Sequence, residues 1–306
     1  MVWAFTNQAN LTCRTLANQP TRAEAMTIVD LDMDGHKDIV WGSNDYQRLG
    51  LFKGNGTGAF TVPANTTIGA PGIPMCIANG DFNEDGYPDL AIANDQGTGE
   101  VRFGNGTATI QGGLTINFPA LTAQPRGVAV GDFNNDGHQD LAFSHVGQSG
   151  GRVSVFLGNG AGQFTAMPLV VTGGDSYRVR VGDFNGDGNQ DFVTSNFIDW
   201  SISIGLGNGQ GGFSSIRTLF TGQNTRHSVI GDFNGDGKQD IGVTVQTYNA
   251  VVIFLGGAND INVLGNATSI ADGSTYALHH QSHGLRCCTH QFLLGTHLHH
   301  PKYRKH

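Results

Sequence analysis

A nine-residue phrase returns five times along the chain: Asp, any residue, Asp or Asn, any residue, Asp-Gly, any two residues, Asp. The copies begin at Asp30, Asp81, Asp132, Asp183 and Asp232, so their starts lie 51, 51, 51 and 49 residues apart. A fixed period near fifty residues means a repeat architecture. Oxygen-bearing side chains at alternate positions of a tight loop point to a hard cation, calcium.

Calcium takes six to eight oxygen ligands from a flexible loop that curls around it. In the fourth copy, Asp183, Asn185 and Asp187 stand at positions 1, 3 and 5, where their side chains face one concavity. Gly188 follows at position 6, where the chain must turn sharply. Asn189 at position 7 offers its backbone carbonyl, and Asp191 at position 9 closes the ring. The same roles fall to Asp81, Asn83, Asp85, Tyr87 and Asp89, and to Asp132, Asn134, Asp136, His138 and Asp140. They recur in Asp232, Asn234, Asp236, Lys238 and Asp240, and in the first and most acidic loop, Asp30, Asp32, Asp34, His36 and Asp38. Asp-Gly and Asn-Gly are also ordinary hairpin turns. Seventeen of the 25 acidic residues sit in these five loops, however, and would repel one another without a cation. Magnesium prefers water-rich octahedral sites, so the expected cofactor is Ca2+, one ion per repeat and up to five in all.

The flanks decide what carries the loops. An EF-hand needs a Glu at position 12, where this chain has Trp41, Ile92, Phe143, Thr194 and Val243. The neighbouring residues alternate with period two, as in Asp140-Leu141-Ala142-Phe143-Ser144, so strands enter and leave each loop. A third strand follows, such as Val153-Ser154-Val155-Phe156-Leu157, then Gly-Asn-Gly at 54–56, 104–106, 158–160 and 207–209. An aromatic residue, Phe60, Phe164 or Phe213, usually opens a fourth strand. Four antiparallel strands per fifty residues, repeated radially, describe an all-β propeller.

These residues carry a family resemblance. Asp-Phe-Asn-x-Asp-Gly-x-x-Asp followed by Phe-Leu-Gly-Asn-Gly-x-Gly-x-Phe resembles the FG-GAP/VCBS repeat, the type found in integrin α-subunit propellers and many exported bacterial proteins. The resemblance spans about residues 20–265 and implies calcium in the hairpin between the first and second strands of each blade. Integrin-like propellers have seven blades, whereas five loops are present here. Two arrangements follow: a closed five-blade wheel, or a truncated seven-blade one. The blade beginning near Arg226 runs out after its third strand in this reading, which leaves its fourth position to an N-terminal segment, residues 1–19. The propeller is expected over 20–270. Residues 271–306, rich in His and holding Cys287-Cys288, form a poorly ordered tail rather than a transition-metal site.

The rim opposite the acidic loops varies between repeats, and its aromatic and polar residues suit a protein or carbohydrate ligand. The candidates are Tyr46, His145, Trp200, Tyr248, Arg126 and Arg178. Five calcium ions would turn the formal charge of −8 into about +2, so acidity says little about partners. No basic stripe suits nucleic acid, and no segment has the apolar length of a membrane span. Met1–Phe5 lacks the basic and apolar regions of a secretory leader, yet loops of this kind fill most readily outside the cytosol. The expectation is an extracellular or cell-surface protein, its leader missing or the chain a fragment. Gly147-Gln148-Ser149-Gly150-Gly151 and the Gly207, Gly209, Gly212 set match catalytic and nucleotide-binding patterns, but neither stands before a helix. No catalytic residue is expected. The leading function is a non-enzymatic adhesion or recognition module; a lectin and an ancillary module of an exported enzyme are the alternatives.

Overall fold

A computed structural model of the chain describes residues 23–278, apart from 45–46, 64–67, 71, 111, 119–122, 148–149, 223, 246–249, 257–266 and 272–273. The regular elements are all strands, grouped in chain order into five antiparallel sheets. The first contains β1 (Ala23–Val29), β2 (Asp38–Ser43) and β3 (Arg48–Gly54), with β4 (Phe60–Thr61) and β5 (Ile68–Gly69) both paired to β3 as one broken outer strand. The second is β6 (Pro74–Gly80), β7 (Asp89–Asn94), β8 (Thr98–Arg102) and β9 (Gly113–Asn117). The third is β10 (Gln124–Gly131), β11 (Asp140–Val146) and β12 (Arg152–Gly158), its outer strand again in two pieces, β13 (Phe164–Ala166) and β14 (Val170–Val171). The fourth is β15 (Ser176–Gly182), β16 (Asp191–Asn196), β17 (Ser201–Gly207) and β18 (Phe213–Phe220). The fifth is β19 (Thr225–Gly231), β20 (Asp240–Val245), β21 (Ala250–Phe254), β22 (Ala267–Ala271) and β23 (Ser274–Leu278).

The sheets are the blades of a five-bladed β-propeller. Their first strands line one central cavity of about 540 Å3, with Met26, Ile77, Val128, Arg178 and His227 in its wall. Every first strand carries a register shift in its early part, at Ala23/Ala25, Pro74/Cys76, Pro125/Gly127, Ser176/Val179 and Thr225/Ser228. Such a bulge bends the strand and strengthens its twist, as an innermost strand beside an axis requires.

Second strands lie between two neighbouring blades. All six residues of β7, all seven of β11 and all six of β16 are buried. A strand covered on both faces has no polar side to present, so burial along these strands does not alternate. The last polar residue of β16 is tied to the third strand of its blade: Asn196 Nδ2 donates to Ser201 Oγ at 2.9 Å and Ser203 Oγ at 2.8 Å.

Apolar clusters bind each blade to the next. Leu31 of the first blade joins Leu90, Ile92 and Ile110 of the second. Phe82 meets Phe143 and Phe156 of the third, Phe133 meets Phe192 of the fourth, and Phe184 meets Ile241, Val243 and Phe254 of the fifth.

The end of the fifth blade departs from the sequence reading. Its fourth position is filled by β22, which pairs with β21 through Val251↔Ile270 and Ile253↔Thr268. The apolar run stops at Leu255, and the strand that follows, Ala267–Ala271, has a single large apolar residue, Ile270, so hydrophobicity gave no sign of it. The fifth sheet continues to Leu278, beyond the compositional boundary at residue 270. The N-terminal segment and residues 279–306 lie outside the described residues.

Candidate metal centres and the opposite rim

Each acidic loop closes through the same set of side-chain to backbone hydrogen bonds. The position-1 carboxylate accepts the N–H groups of positions 5 and 6: Asp34 and Gly35 onto Asp30 at 3.1 and 3.0 Å, Asp136 and Gly137 onto Asp132 at 3.2 and 3.0 Å. Position 5 accepts the N–H of position 7, at 2.9 Å for Asp85 and Tyr87 and 2.8 Å for Asp187 and Asn189. Where position 3 is Asn, its Nδ2 donates to position 5, at 2.9 Å in Asn83 and 2.7 Å in Asn134. The carboxylates are thus turned inward by backbone donors, and the remaining lone pairs crowd together.

Two backbone positions are left-handed. Glycine at position 6 meets the demand, with φ 86° at Gly137 and 84° at Gly188. Position 4 has the same requirement, hidden in the phrase as any residue. Met33, Glu84 and Asn135 adopt φ of 60°, 54° and 58°, and Gly186 and Gly235 adopt it without a Cβ.

Position 9 plays a part that its place in the metal phrase did not reveal. Asp38, Asp89, Asp140, Asp191 and Asp240 are fully buried. In each, Oδ2 accepts the N–H of position 2, and Oδ1 accepts the N–H of a glycine at the end of the third strand or two residues past it. For Asp140 these are Phe133 at 2.8 Å and Gly158 at 2.7 Å; for Asp191, Phe184 at 2.9 Å and Gly207 at 2.8 Å. The acidic loop and the glycine turn are therefore tied together on one rim of the wheel. Burial raises Asp140 and Asp191 to about 6, aided by the charges at positions 1 and 5 and opposed by those two backbone donors.

The donor set fits a divalent cation. In the first loop, Asp30, Asp32 and Asp38 each bring an oxygen within 4.8 Å of the others. Asp32 Oδ1 is buried there with no hydrogen-bond partner among the described residues. This loop also has a cation of its own, because Lys53 Nζ contacts Asp32 and lies 3.1 Å from Asp34. Phe103, Leu157, Leu206 and Leu255 hold the corresponding place in the other blades. At position 7 only the backbone carbonyl was assigned to the metal. The side chains of His36, Tyr87, His138 and Asn189 lie against Gly56, Gly106, Gly160 and Gly209 of their own blades, where a Cβ would clash.

A family model of the FG-GAP-like repeat matches residues 30–92, 81–143 and 145–194, more than half of the chain. The chain belongs to the FG-GAP repeat family. Among curated proteins it is similar to phosphatidylinositol-glycan-specific phospholipase D of Mus musculus, 30% identical over 159 residues. The Rattus norvegicus protein of that name is 28% identical over 157 residues. The first match covers 42% of this chain and 18% of that protein, so the chain spans less than a fifth of these relatives. In fold it is similar to a crystal structure of BBS1N in complex with ARL6DN, soaked with lead, with a TM-score of 0.57. That likeness is 13% identical and covers 84% of this chain and 70% of the other, and it speaks for the fold alone.

On the rim opposite the FG-GAP loops, the structure separates the candidate recognition residues. Trp200 is exposed, at φ 53° in the turn after β16, beside exposed Ile198. Arg178 instead lines the central cavity, and Arg126 is half-buried with Nη1 3.3 Å from Met75 Sδ. Arg178 Nη1 donates to the carbonyls of Met75 at 2.7 Å and Arg126 at 2.6 Å, joining blades two, three and four. His145 is buried and leaves the recognition surface, correcting its placement on the rim. Its Nε2 lies 3.0 Å from Ser154 Oγ, and its ring packs edge-on to Phe118 at 4.6 Å. Its residue type suggested exposure, but in β11 it faces the neighbouring blade. Tyr46 and Tyr248 lie outside the described residues. Tyr177 and Phe197 stack at 5.3 Å, with the Arg226 guanidinium 4.9 Å from the Phe197 ring, and so extend the rim beside Trp200.

Two outcomes follow. In calcium-free buffer, Asp191→Ala leaves two backbone donors unpaired and should cost about 2–5 kcal/mol in urea unfolding. Asp187→Ala, at an exposed position of the same loop, should cost less than about 1.5 kcal/mol under those conditions. Burial lowers His145 from 6.5 to about 4. The neutral form therefore stabilises the fold above pH 6.5, and that contribution fades as pH falls toward 4. Acidification across this window should cost the wild type on the order of 3 kcal/mol more than His145→Gln.

Proposed function

We propose that this FG-GAP propeller is a non-enzymatic recognition module, working outside the cell or at its surface, in which calcium braces one hairpin per blade. The observation that carries the reading is the buried position-9 aspartate. It stands beside the carboxylates of positions 1 and 5, in a loop whose backbone bonds hold those charges together. Side chains at positions 1, 3, 5 and 9 would hold the ion, with the carbonyl of position 7. Bound calcium supplies the charge that offsets their mutual repulsion. Among the described residues no general acid or base recurs beside all five loops, and the ligands would encircle the ion, so the metal's role in this reading is structural. The ligand, a protein or a carbohydrate, meets the opposite rim around Trp200 and the Arg226–Phe197–Tyr177 stack. Exposed aromatic and guanidinium groups there combine apolar area with hydrogen-bonding capacity.

A second reading keeps the same calcium role and makes the propeller an ancillary module of an exported enzyme. The similarity to phosphatidylinositol-glycan-specific phospholipase D favours it, because that similarity reaches only 42% of this chain and 18% of the relative. In that reading the chain contributes recognition or placement, and catalysis belongs elsewhere.

Differential scanning calorimetry tests the calcium role. A site filled at a hundred times its dissociation constant adds about 2.7 kcal/mol, and 1 kcal/mol moves a domain of this size by about 2–4 °C. Excess EDTA should therefore lower the melting temperature by at least about 5 °C, with calcium restoring it and magnesium failing to. An unmoved transition sinks the reading. In a glycan array run in calcium, saturable binding that Trp200→Ala abolishes identifies a sugar as the rim's ligand. Absence of sugar binding points to a protein.

A further inference from the structure

The first acidic loop is built differently from the other four. At position 3, loops two to five carry Asn83, Asn134, Asn185 and Asn234, whereas the first carries Asp32. In those four, the amide Nδ2 donates to Oδ2 of the position-5 aspartate, at 2.9, 2.7, 2.9 and 3.1 Å. A neutral donor thus holds positions 3 and 5 together. An ionised carboxylate at position 3 has no donor to offer and faces Asp34 as a second negative charge.

The missing donor comes from the third strand. Lys53 directly precedes Gly54, whose N–H reaches Asp38 Oδ1 at 2.8 Å, and the residues in its place in the other blades are apolar. Its Nζ contacts Asp32 Oδ2 and lies 3.1 Å from Asp34 Oδ2, so an ammonium links positions 3 and 5 here. Four carboxylates and one ammonium carry the same net charge as the three ligand carboxylates of each other loop. The loops therefore differ in what must move to admit an ion. An Asn side chain turns and offers its carbonyl oxygen. An ammonium must leave two carboxylates, or stay as a like charge beside the metal. The site itself is retained: the Asp32 side chain is only 10% exposed, and its Oδ1 is buried with no hydrogen-bond partner among the described residues.

We propose that Lys53 is a tethered counter-ion of the first loop, so that this loop keeps its shape without calcium and is the last of the five to take the metal. The inference rests on the calcium reading above. It separates one blade, braced by its own side chains, from four blades whose loops depend on an ion. Calcium enters the first loop in competition with Lys53 for Asp32 and Asp34, and enters the others by turning an amide.

Hydrogen exchange of the full chain, in calcium and in EDTA, tests the inference loop by loop. Gly35, Gly137 and Gly188 each donate their N–H to the position-1 aspartate of their own loop. In EDTA, peptides carrying Gly137 and Gly188 should exchange at least about tenfold faster than in calcium, and the Gly35 peptide less than about threefold faster. Lys53→Met should bring the Gly35 peptide to about the tenfold response of the others, leaving theirs unchanged. Lys53→Arg, which keeps the charge, should behave as the wild type. Calcium counted by atomic emission at buffered free calcium gives a second readout. Lys53→Met should tighten one site by about tenfold or more, so that it holds one ion more than the wild type at intermediate calcium. Equal melting temperatures in saturating calcium show that the variants fold. A wild-type first loop that responds to EDTA like the others overturns the inference and leaves the calcium role standing. So does a Lys53→Met protein that matches the wild type in both readouts. If no loop responds to EDTA and no calcium is retained, the calcium reading fails and the inference falls with it.

Discussion

One buried aspartate per blade holds the wheel's architecture in register. Its two oxygens take backbone donors from two different connections, the acidic loop and the glycine turn, which are far apart along the chain. Without that carboxylate, both N–H groups would be buried and unpaired, at a cost of roughly 1–3 kcal/mol each. Burying the charge raises its proton affinity, and neighbouring carboxylates raise it further. The brace and the reason for a cation are thus the same group.

From this tie follows the placement of the position-2 side chain. Position 2 shares its N–H with the brace, so its side chain is aimed out of the sheet toward the next blade. Phe82, Phe133 and Phe184 become the centres of the inter-blade cores. A loop that looks like a metal site in sequence therefore also sets the spacing of the blades. The neighbours, in turn, bury three of the second strands completely, and those strands hold small and apolar residues beside buried polar ones.

The loops, their period and the strands beside them were legible because each rests on local rules: oxygen spacing, glycine at a left-handed position, alternation along a strand. The left-handed position 4 was invisible, since three of its five residues have a Cβ and tolerate the strain. Lys53 was equally hidden; it reaches Asp32 and Asp34 only because the third strand passes beside the loop. His145 was misplaced on the rim because a histidine near a turn reads as exposed, while the adjoining blade buries it under Phe118. The fourth strand of the fifth blade lacked an apolar signature in the sequence, and its place is set by backbone pairing to β21 on one side and β23 on the other.

By itself, the sequence determined the repeat, the all-β class, the blade as its unit and the five oxygen-lined loops. Those features depend on spacing within nine residues or on a period of about fifty, and both survive without any knowledge of partners in space. Tertiary structure alone decided which acidic residue is a brace, which phenylalanines fill the blade junctions and which rim side chains reach solvent. Each of these turns on what lies across a blade junction, and burial there is a property of two repeats together.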